Sequence, residues 1–229
     1  MGVEIKEGEV TAIEQTEGGF RILLSDGACM ESRTVIYCGG ATHRRLGLKE
    51  EETYAGTGVS YCAICDGTFY KGMEVAVVGG GDTALDEACY LSNICKKVYL
   101  IHRRDAFRGS AAALERLKEK ENVELVLNSR ITSMEGNGKL ERICLNGETT
   151  IPVDGVFVAI GMEPQVGLIR EMIDLDEAGY VLADETGKTK TNGLFVAGDI
   201  RSKQLRQVVT AVADGANAMI SAIDYLKES

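Results

Sequence analysis

The chain has 229 residues, 45% of them hydrophobic, with 25 Lys plus Arg against 35 Asp plus Glu and a formal net charge of -10. That much apolar content builds one large core or two modest ones, while the acidic balance disfavours nucleic acid and anionic membrane and points to small molecules and proteins as partners. No apolar run nears the length of a membrane span, Met1-Gly2-Val3-Glu4 lacks the basic and apolar regions of a signal peptide, and seven irregularly spaced cysteines do not read as a secreted disulfide framework, so a cytoplasmic protein with reduced thiols is expected.

In chain order, residues 10–13, 20–24 and 34–37 are short apolar or alternating runs divided by Gly18-Gly19 and Asp26-Gly27, and they predict a piece of sheet. Residues 41–60 are polar, contain glycine and hold no period, which predicts a linker and a boundary near His43. Beyond it come a buried-type strand over 74–78, a helix over 82–93, a second strand over 97–102, an exposed helix over 111–120 and a third strand over 123–127. Such alternation predicts a parallel sheet. Short strands with turns at Gly136, Gly138 and Gly147 follow over 131–146, reading as an inserted hairpin or meander before an apolar strand over 155–160. A last strand is predicted over 193–197. The spacing of Val208, Val209, Val212, Ala213, Ala216, Met219, Ile220, Ile223 and Leu226 then marks a long amphipathic helix. There is no repeat at solenoid periods and no low-complexity segment.

The first strand runs into Gly79-Gly80-Gly81-Asp82-Thr83-Ala84 and then a helix, the context a dinucleotide fingerprint requires. Gly79 permits the tight turn, Gly81 lets the backbone approach a pyrophosphate, Ala84 allows close helix-to-strand packing, and the helix N-terminus offers N–H groups and a positive dipole end. A plain strand-to-helix turn is the alternative, but strand, helix and spacing are all present. Where an NAD site ends its second strand in an acidic residue, this one ends in His102-Arg103-Arg104, with Arg108 close behind. Guanidinium groups fit a 2'-phosphate bidentately, so NADPH is preferred over a merely solvated basic turn.

Cys62 and Cys65 lie in Tyr61-Cys62-Ala63-Ile64-Cys65-Asp66-Gly67, ahead of the fingerprint. Two thiols at this spacing can close a disulfide across a tight turn and exchange electrons two at a time. Asp66 supplies a carboxyl that can act as acid when a thiolate leaves, if folding brings it within hydrogen-bond reach. A zinc half-site is the competing reading, but zinc needs four ligands and the only histidines are His43 and His102, so no metal is expected. Cys29, Cys38, Cys89, Cys95 and Cys144 read as small buried hydrophobes.

With CAICDG, VVGGGDTA, HRRDAFR and VAGDI in this order, the chain resembles the low-molecular-weight thioredoxin reductases of bacteria and archaea over essentially its whole length. The resemblance implies an α/β fold of two Rossmann-like three-layer domains. Residues 44–161 would form the NADPH-binding domain carrying the redox dithiol, and residues 1–43 and 162–229 parts of a discontinuous FAD domain. It adds Gly198 and Asp199 for the flavin ribityl chain, Arg206 and Gln207 against the flavin, Ile160 and Val208 in the cofactor-binding set, and a helix N-terminus near Gln207 aimed at the isoalloxazine. The implied activity passes electrons from NADPH through FAD to the Cys62–Cys65 disulfide and on to thioredoxin or a thioredoxin-like protein. Cys65 would face the flavin, Cys62 would attack the partner, and hinges would lie near residues 43 and 161. A homodimer is implied as well.

Such reductases open with a strand and a GxGxxG turn for the FAD pyrophosphate, which does not occur before residue 43; Gly39-Gly40-Ala41 lacks the spacing. The expectation is a flavin domain incomplete at its N-terminus, with FAD affinity sharply reduced, NADPH still bound and slow turnover. Two rival readings are a flavoprotein that reduces a peroxiredoxin, against which the Arg-Arg pair argues, and an NADPH-binding redox module without turnover.

Overall fold

The computed structural model describes residues 3–228, so Met1 and Gly2 of the Met1-Gly2-Val3-Glu4 start lie outside the described residues. Strands β1 (Val10–Thr16), β2 (Gly19–Leu24) and β3 (Cys29–Ser32) form an antiparallel sheet. Alternation along β2 buries Phe20 and Leu24 and turns Arg21 outward. The segment Cys29-Met30-Glu31-Ser32 is too polar to announce itself as β3, and its pairing with β2 makes it a strand. Strand β4 (Val35–Tyr37) follows.

The predicted linker over residues 41–60 is more ordered than its composition suggests: it holds β5 (Ala41–His43), α1 (Glu50–Thr53) and β6 (Val59–Ser60). The cause is one side chain. Buried Glu51 accepts the N–H groups of Leu46, Gly47 and Leu48 and the Tyr61 hydroxyl, at 2.7–3.1 Å, fixing a stretch that has no hydrophobic period.

Then come α2 (Ala63–Asp66), a 3₁₀ turn over Gly67–Tyr70, β7 (Glu74–Val78), α3 (Asp82–Ser92), β8 (Lys97–Ile101), α4 (Ala111–Lys118) and β9 (Val123–Val126). Strands β10 (Ile131–Glu135), β11 (Arg142–Leu145) and β12 (Thr149–Pro152) make the meander, turning between the last two at Asn146 and Gly147, both at positive φ as a tight hairpin requires. The chain ends with β13 (Gly155–Val158), β14 (Met162–Pro164), β15 (Leu194–Val196) and α5 (Val208–Glu228).

The described residues divide into two compact units, one of His43–Met162 and one of the residues up to Thr42 with those from Glu163 onward. In the first, β6, β13, β7, β8 and β9 lie in that order as a parallel sheet. Val75, Ala76 and Val77 are all fully buried because both faces are covered. Val75, Val77 and Leu100 pack under α3 and α4 with Leu85, Leu91 and Leu117. Ala76, Ile101 and Val156 pack against the meander through Met134, Leu140 and Ile143. The unit is a three-layer α/β domain of the dinucleotide-binding kind.

In the second unit β4 and β15 pair in parallel. One core joins Phe20, Ile169, Val181, Leu194 and Val196, and a smaller one seats Ala218 and Ala222 of α5 beside Phe195. An amphipathic helix ordinarily turns its apolar stripe to the core. Here the stripe points outward: Val208, Val209, Val212, Met219, Ile220 and Ile223 are exposed, and the helix buries Asp214, Ala218 and Ala222 instead. The cysteine reading also needs correction, since Cys29 and Cys38 are exposed, Cys89 and Cys144 half-buried, and only Cys95 of these five is buried.

Candidate functional site

Cys62 and Cys65 form a disulfide across the single turn of α2. Cys62 is the N-cap, and its Sγ accepts the Cys65 N–H at 3.2 Å. Cys65 is exposed and Cys62, whose sulfur is held by the turn, is half-buried. The Asp66 carboxylate accepts the Ser60 hydroxyl at 2.7 Å, and the Cys62 N–H donates to that same Ser60 oxygen at 3.1 Å. Asp66 is thus tied to the dithiol turn through Ser60, a residue that no local pattern singles out. Beside Cys65, Ile64 and Phe69 are exposed apolar side chains.

Under this turn lies α3. Its Glu87 accepts the Ala63 N–H at 3.3 Å through Oε1, while Oε2 is buried with no hydrogen-bond partner among the described residues. Burial pushes the carboxyl up to about 7, and the Ala63 N–H pulls the other way. Sequence reasoning passed over Glu87, although an acidic residue one place before Ala88, in the Ala84, Ala88, Leu91 stripe of α3, was a visible signal.

The N-terminus of α3 sits on the glycine turn. A Cβ on Gly79 would lie 2.4 Å from the Ala159 carbonyl oxygen and 2.6 Å from the Ala84 Cβ, so Gly79 and Ala84 are set by close packing of turn and helix. A Cβ on Gly80 would lie 2.1 Å from the His102 ring. At Gly81, by contrast, a Cβ would meet nothing within 4 Å. The turn is thus open at Gly81, at the head of α3, where the first-turn N–H groups of Asp82, Thr83 and Ala84 lie beyond the reach of intrahelical acceptors, which suits a pyrophosphate. The loop after β8 is pinned across it: the Arg108 and Gly109 N–H groups donate to the Gly80 carbonyl at 2.7 and 3.2 Å, and the Ser110 N–H donates to Asp82 Oδ1 at 2.7 Å.

The structure separates the basic cluster by role. Arg103, Arg104 and Arg108 are exposed. His102 is buried beneath Gly80, stacked 5.1 Å from the Phe107 ring, with no hydrogen-bond partner for Nε2 among the described residues. Burial first, then the nearby arginines, hold its pKa below the usual imidazole value, so it is a neutral support for the glycine turn. Ile160 is half-buried just beyond β13 and packs on the meander-side core.

In the other unit, Gly198 at φ +85° ends β15's run, and its N–H donates to Asp214 Oδ2 at 2.9 Å. Buried Asp214 also accepts Arg201 Nη1 and, at 2.9 Å, Lys203 Nζ. Asp199 Oδ1 is buried without a hydrogen-bond partner among the described residues, its nearest cation being Lys203 Nζ at 3.9 Å. A cleft of about 220 Å³ lined by Cys38, Gly40, Ala197, Gly198, Asp199, Ala211 and Gly215 opens there. Burial, then Asp214, raise the Cys38 thiol. Small walls and an unsatisfied carboxylate oxygen fit a hydroxyl-bearing ligand such as a ribityl chain. Arg206 stacks 3.8 Å from the Tyr180 ring and donates to the Asp199 and Arg201 carbonyls, so it braces the loop. Gln207 precedes α5, its carbonyl accepting from Thr210, and Val208, the first helical residue, is exposed.

The family model of the pyridine nucleotide-disulphide oxidoreductases matches residues 1–215. A thioredoxin reductase of Helicobacter pylori is 41% identical over 233 residues, covering 96% of this chain and 75% of that protein. One from Mycoplasma genitalium is 41% identical over 218 residues, covering 93% and 69%. The crystal structure of thioredoxin reductase from Streptococcus pyogenes superposes with a TM-score of 0.87 at 37% identity, covering 97% of this chain and 74% of that one.

Proposed function

The chain belongs to the pyridine nucleotide-disulphide oxidoreductase family, among its thioredoxin reductases, and from that membership we propose the residues by which it carries electrons to a protein disulfide. The activity is that of an NADPH- and FAD-dependent disulfide reductase. The observation that carries the reading is the Cys62–Cys65 disulfide, with Cys65 exposed, built on the same unit as the glycine turn.

In this reading residues 44–161 bind NADPH, and residues 1–43 with 162–229 belong to the flavin domain. Gly79, Gly80, Gly81, Asp82, Thr83 and Ala84 cradle the pyrophosphate, with Gly81 leaving the room and His102 supporting Gly80 from below. Arg103, Arg104 and Arg108 hold the 2'-phosphate. Gly198 and Asp199 take the flavin ribityl chain, Asp199 through its unsatisfied oxygen. Arg206, Gln207, Val208 and Ile160 complete the cofactor set. When bound, FAD relays electron pairs from NADPH to the dithiol. Cys62, held by the Cys65 N–H, attacks the partner disulfide, and Asp66, reached through Ser60, is the proton donor to the pair.

A thioredoxin-like protein is the partner this chemistry requires, and the exposed Ile64 and Phe69 beside Cys65 give a protein substrate an apolar rim. The five cysteines outside the disulfide suit a reducing compartment such as the cytoplasm, and a homodimer is the assembly expected of the family. Among the described residues no helix is long and apolar enough to cross a membrane.

The test supplies FAD and NADPH to the full chain and counts free thiols. Reduction of the Cys62–Cys65 pair and its reoxidation by a thioredoxin are expected, with NADPH preferred to NADH and no transfer by Cys62→Ser or Cys65→Ser. NADPH bound with the disulfide left intact would instead mark a redox-sensing module, and a preference for NADH would favour the peroxiredoxin-reducing type.

A further inference from the structure

Glu87 has no task in the reductase reading, yet it is bonded to the residue between Cys62 and Ile64. Its Oε1 holds the fully buried Ala63 by the N–H, and its Oε2 is buried without a hydrogen-bond partner among the described residues. A carboxylate left half-satisfied in this way is costly, and its neutral protonated form costs less. Cys62 Sγ draws on the same four-residue turn, accepting the Cys65 N–H. Carboxyl and sulfur therefore hang on neighbouring amides of one turn.

The surroundings leave Glu87 free to respond to the sulfurs. On the dithiol turn the ionisable groups are Cys62, Cys65 and Asp66; the following 3₁₀ turn adds Tyr70, and α3 itself adds Asp82, Asp86, Cys89 and Tyr90. The core that α3 shares with α4, β7 and β8 is apolar, made of Leu85, Ala88, Leu117, Val77 and Leu100. Burial raises its pKa and the Ala63 N–H lowers it. Glu87 holds the Ala63 amide of the dithiol turn, so a new negative charge on that turn would act on it, and like charges in a poorly solvated site raise one another's pKa.

We infer that Glu87 is a positioning residue for the redox pair, holding the Cys62–Cys65 turn through the Ala63 N–H and gaining a proton when reduction leaves negative charge on the sulfurs. The inference rests on the reductase reading, under which the pair cycles between disulfide and dithiol. Where Glu87 is ionised, two electrons break the sulfur–sulfur bond, one proton goes to one sulfur, the other sulfur remains a thiolate, and a second proton goes to the carboxylate. Two electrons and two protons enter, and the net charge of the site is unchanged. The pair thereby becomes easier to reduce at neutral pH than it would be beside a fixed negative charge.

The test follows the Ala63 amide resonance of the ¹⁵N-labelled full chain against pH, first oxidised and then reduced by excess dithiothreitol, whose two thiols close to a cyclic disulfide as they supply the electrons. In the oxidised chain the amide is expected to titrate near the value of about 7 set by burial, and reduction is expected to raise that midpoint by about one pH unit. Glu87→Gln, which keeps an acceptor oxygen for Ala63 but cannot ionise, is expected to abolish the titration and to speed iodoacetamide alkylation of the reduced chain above neutral pH by up to about tenfold. A midpoint that does not move on reduction, an amide that does not titrate, or superimposable alkylation profiles would overturn the inference; the wild-type amide decides it even if the variant fails to fold. Because dithiothreitol replaces NADPH and flavin, failure of the cofactors to reduce the pair would count against the reductase reading and leave this result standing.

Discussion

Two helices of this molecule, α3 and α5, treat their apolar residues in opposite ways. Helix α3 buries Ala84, Leu85, Ala88 and Leu91 completely, beneath the sheet of its own unit. Helix α5 carries a longer apolar stripe but leaves Val208 81% and Val212 67% exposed, while Asp214, at 5%, goes inside. The difference lies in what each helix is fastened to. For α3 the contact is a parallel sheet that offers only apolar surface. For α5 it is a turn whose Gly198 N–H, Arg201 and Lys203 all require an acceptor, and Asp214 answers all three. A satisfied buried charge fixed the rotation of this helix, and the small Ala218 and Ala222 allowed it to sit close.

Removing that acceptor is the most forceful way to break the contrast. Asp214→Ala would leave Arg201, 2% exposed, without its buried partner, and a loss of about 3–5 kcal/mol in denaturant unfolding is expected. A loss below about 1 kcal/mol would mean that the charge cluster does not orient α5.

The glycine turn sharpens the other side of the comparison. Gly80→Ala pushes a methyl group into the His102 ring, and overpacking of this kind is expected to cost about 1–3 kcal/mol. Gly81→Ala meets no protein atom, so its stability should stay within about 0.5 kcal/mol of wild type while NADPH affinity, read by calorimetry, falls. Equal stability losses at both positions would remove the case for Gly81 as ligand space.

The smallest effect is expected on the outer face of α5. Val212→Lys and Ile220→Lys replace exposed side chains and should change unfolding stability by no more than about 0.5 kcal/mol each in the described chain, against several kcal/mol for a polar substitution at Leu85 or Leu91 of α3. A large loss at Val212 would show that its stripe is covered in solution.

Much of the His43–Met162 unit was legible because its signals are local. The strand, the three glycines and Ala84 lie within eleven residues, and each residue type answers a steric demand of the turn. The dithiol was legible for the same reason, its spacing being the condition for closing a disulfide over one turn. Ser60 and Glu51 were not legible. Each is a common polar residue in a stretch without period, and each matters through partners supplied by the fold: Ser60 by joining Asp66 to the Cys62 amide, Glu51 by gathering three backbone N–H groups. His102 was selected together with Arg103 and Arg104, and only the fold shows that its ring lies buried beneath Gly80, since sequence adjacency says nothing about which side of the turn a ring lies on.

Sequence by itself thus determined the periods of the helices, the positions of the parallel sheet's main strands along the chain, the disulfide spacing and the glycine turn, because all of these depend on residues a few places apart and on backbone sterics. Tertiary structure alone decided which face of α5 is buried, where the Glu87 carboxyl rests, and that His102 supports the turn from below. Those outcomes depend on desolvation and on hydrogen-bond partners brought from far along the chain, and no local pattern encodes the environment in which a carboxylate or an imidazole comes to lie.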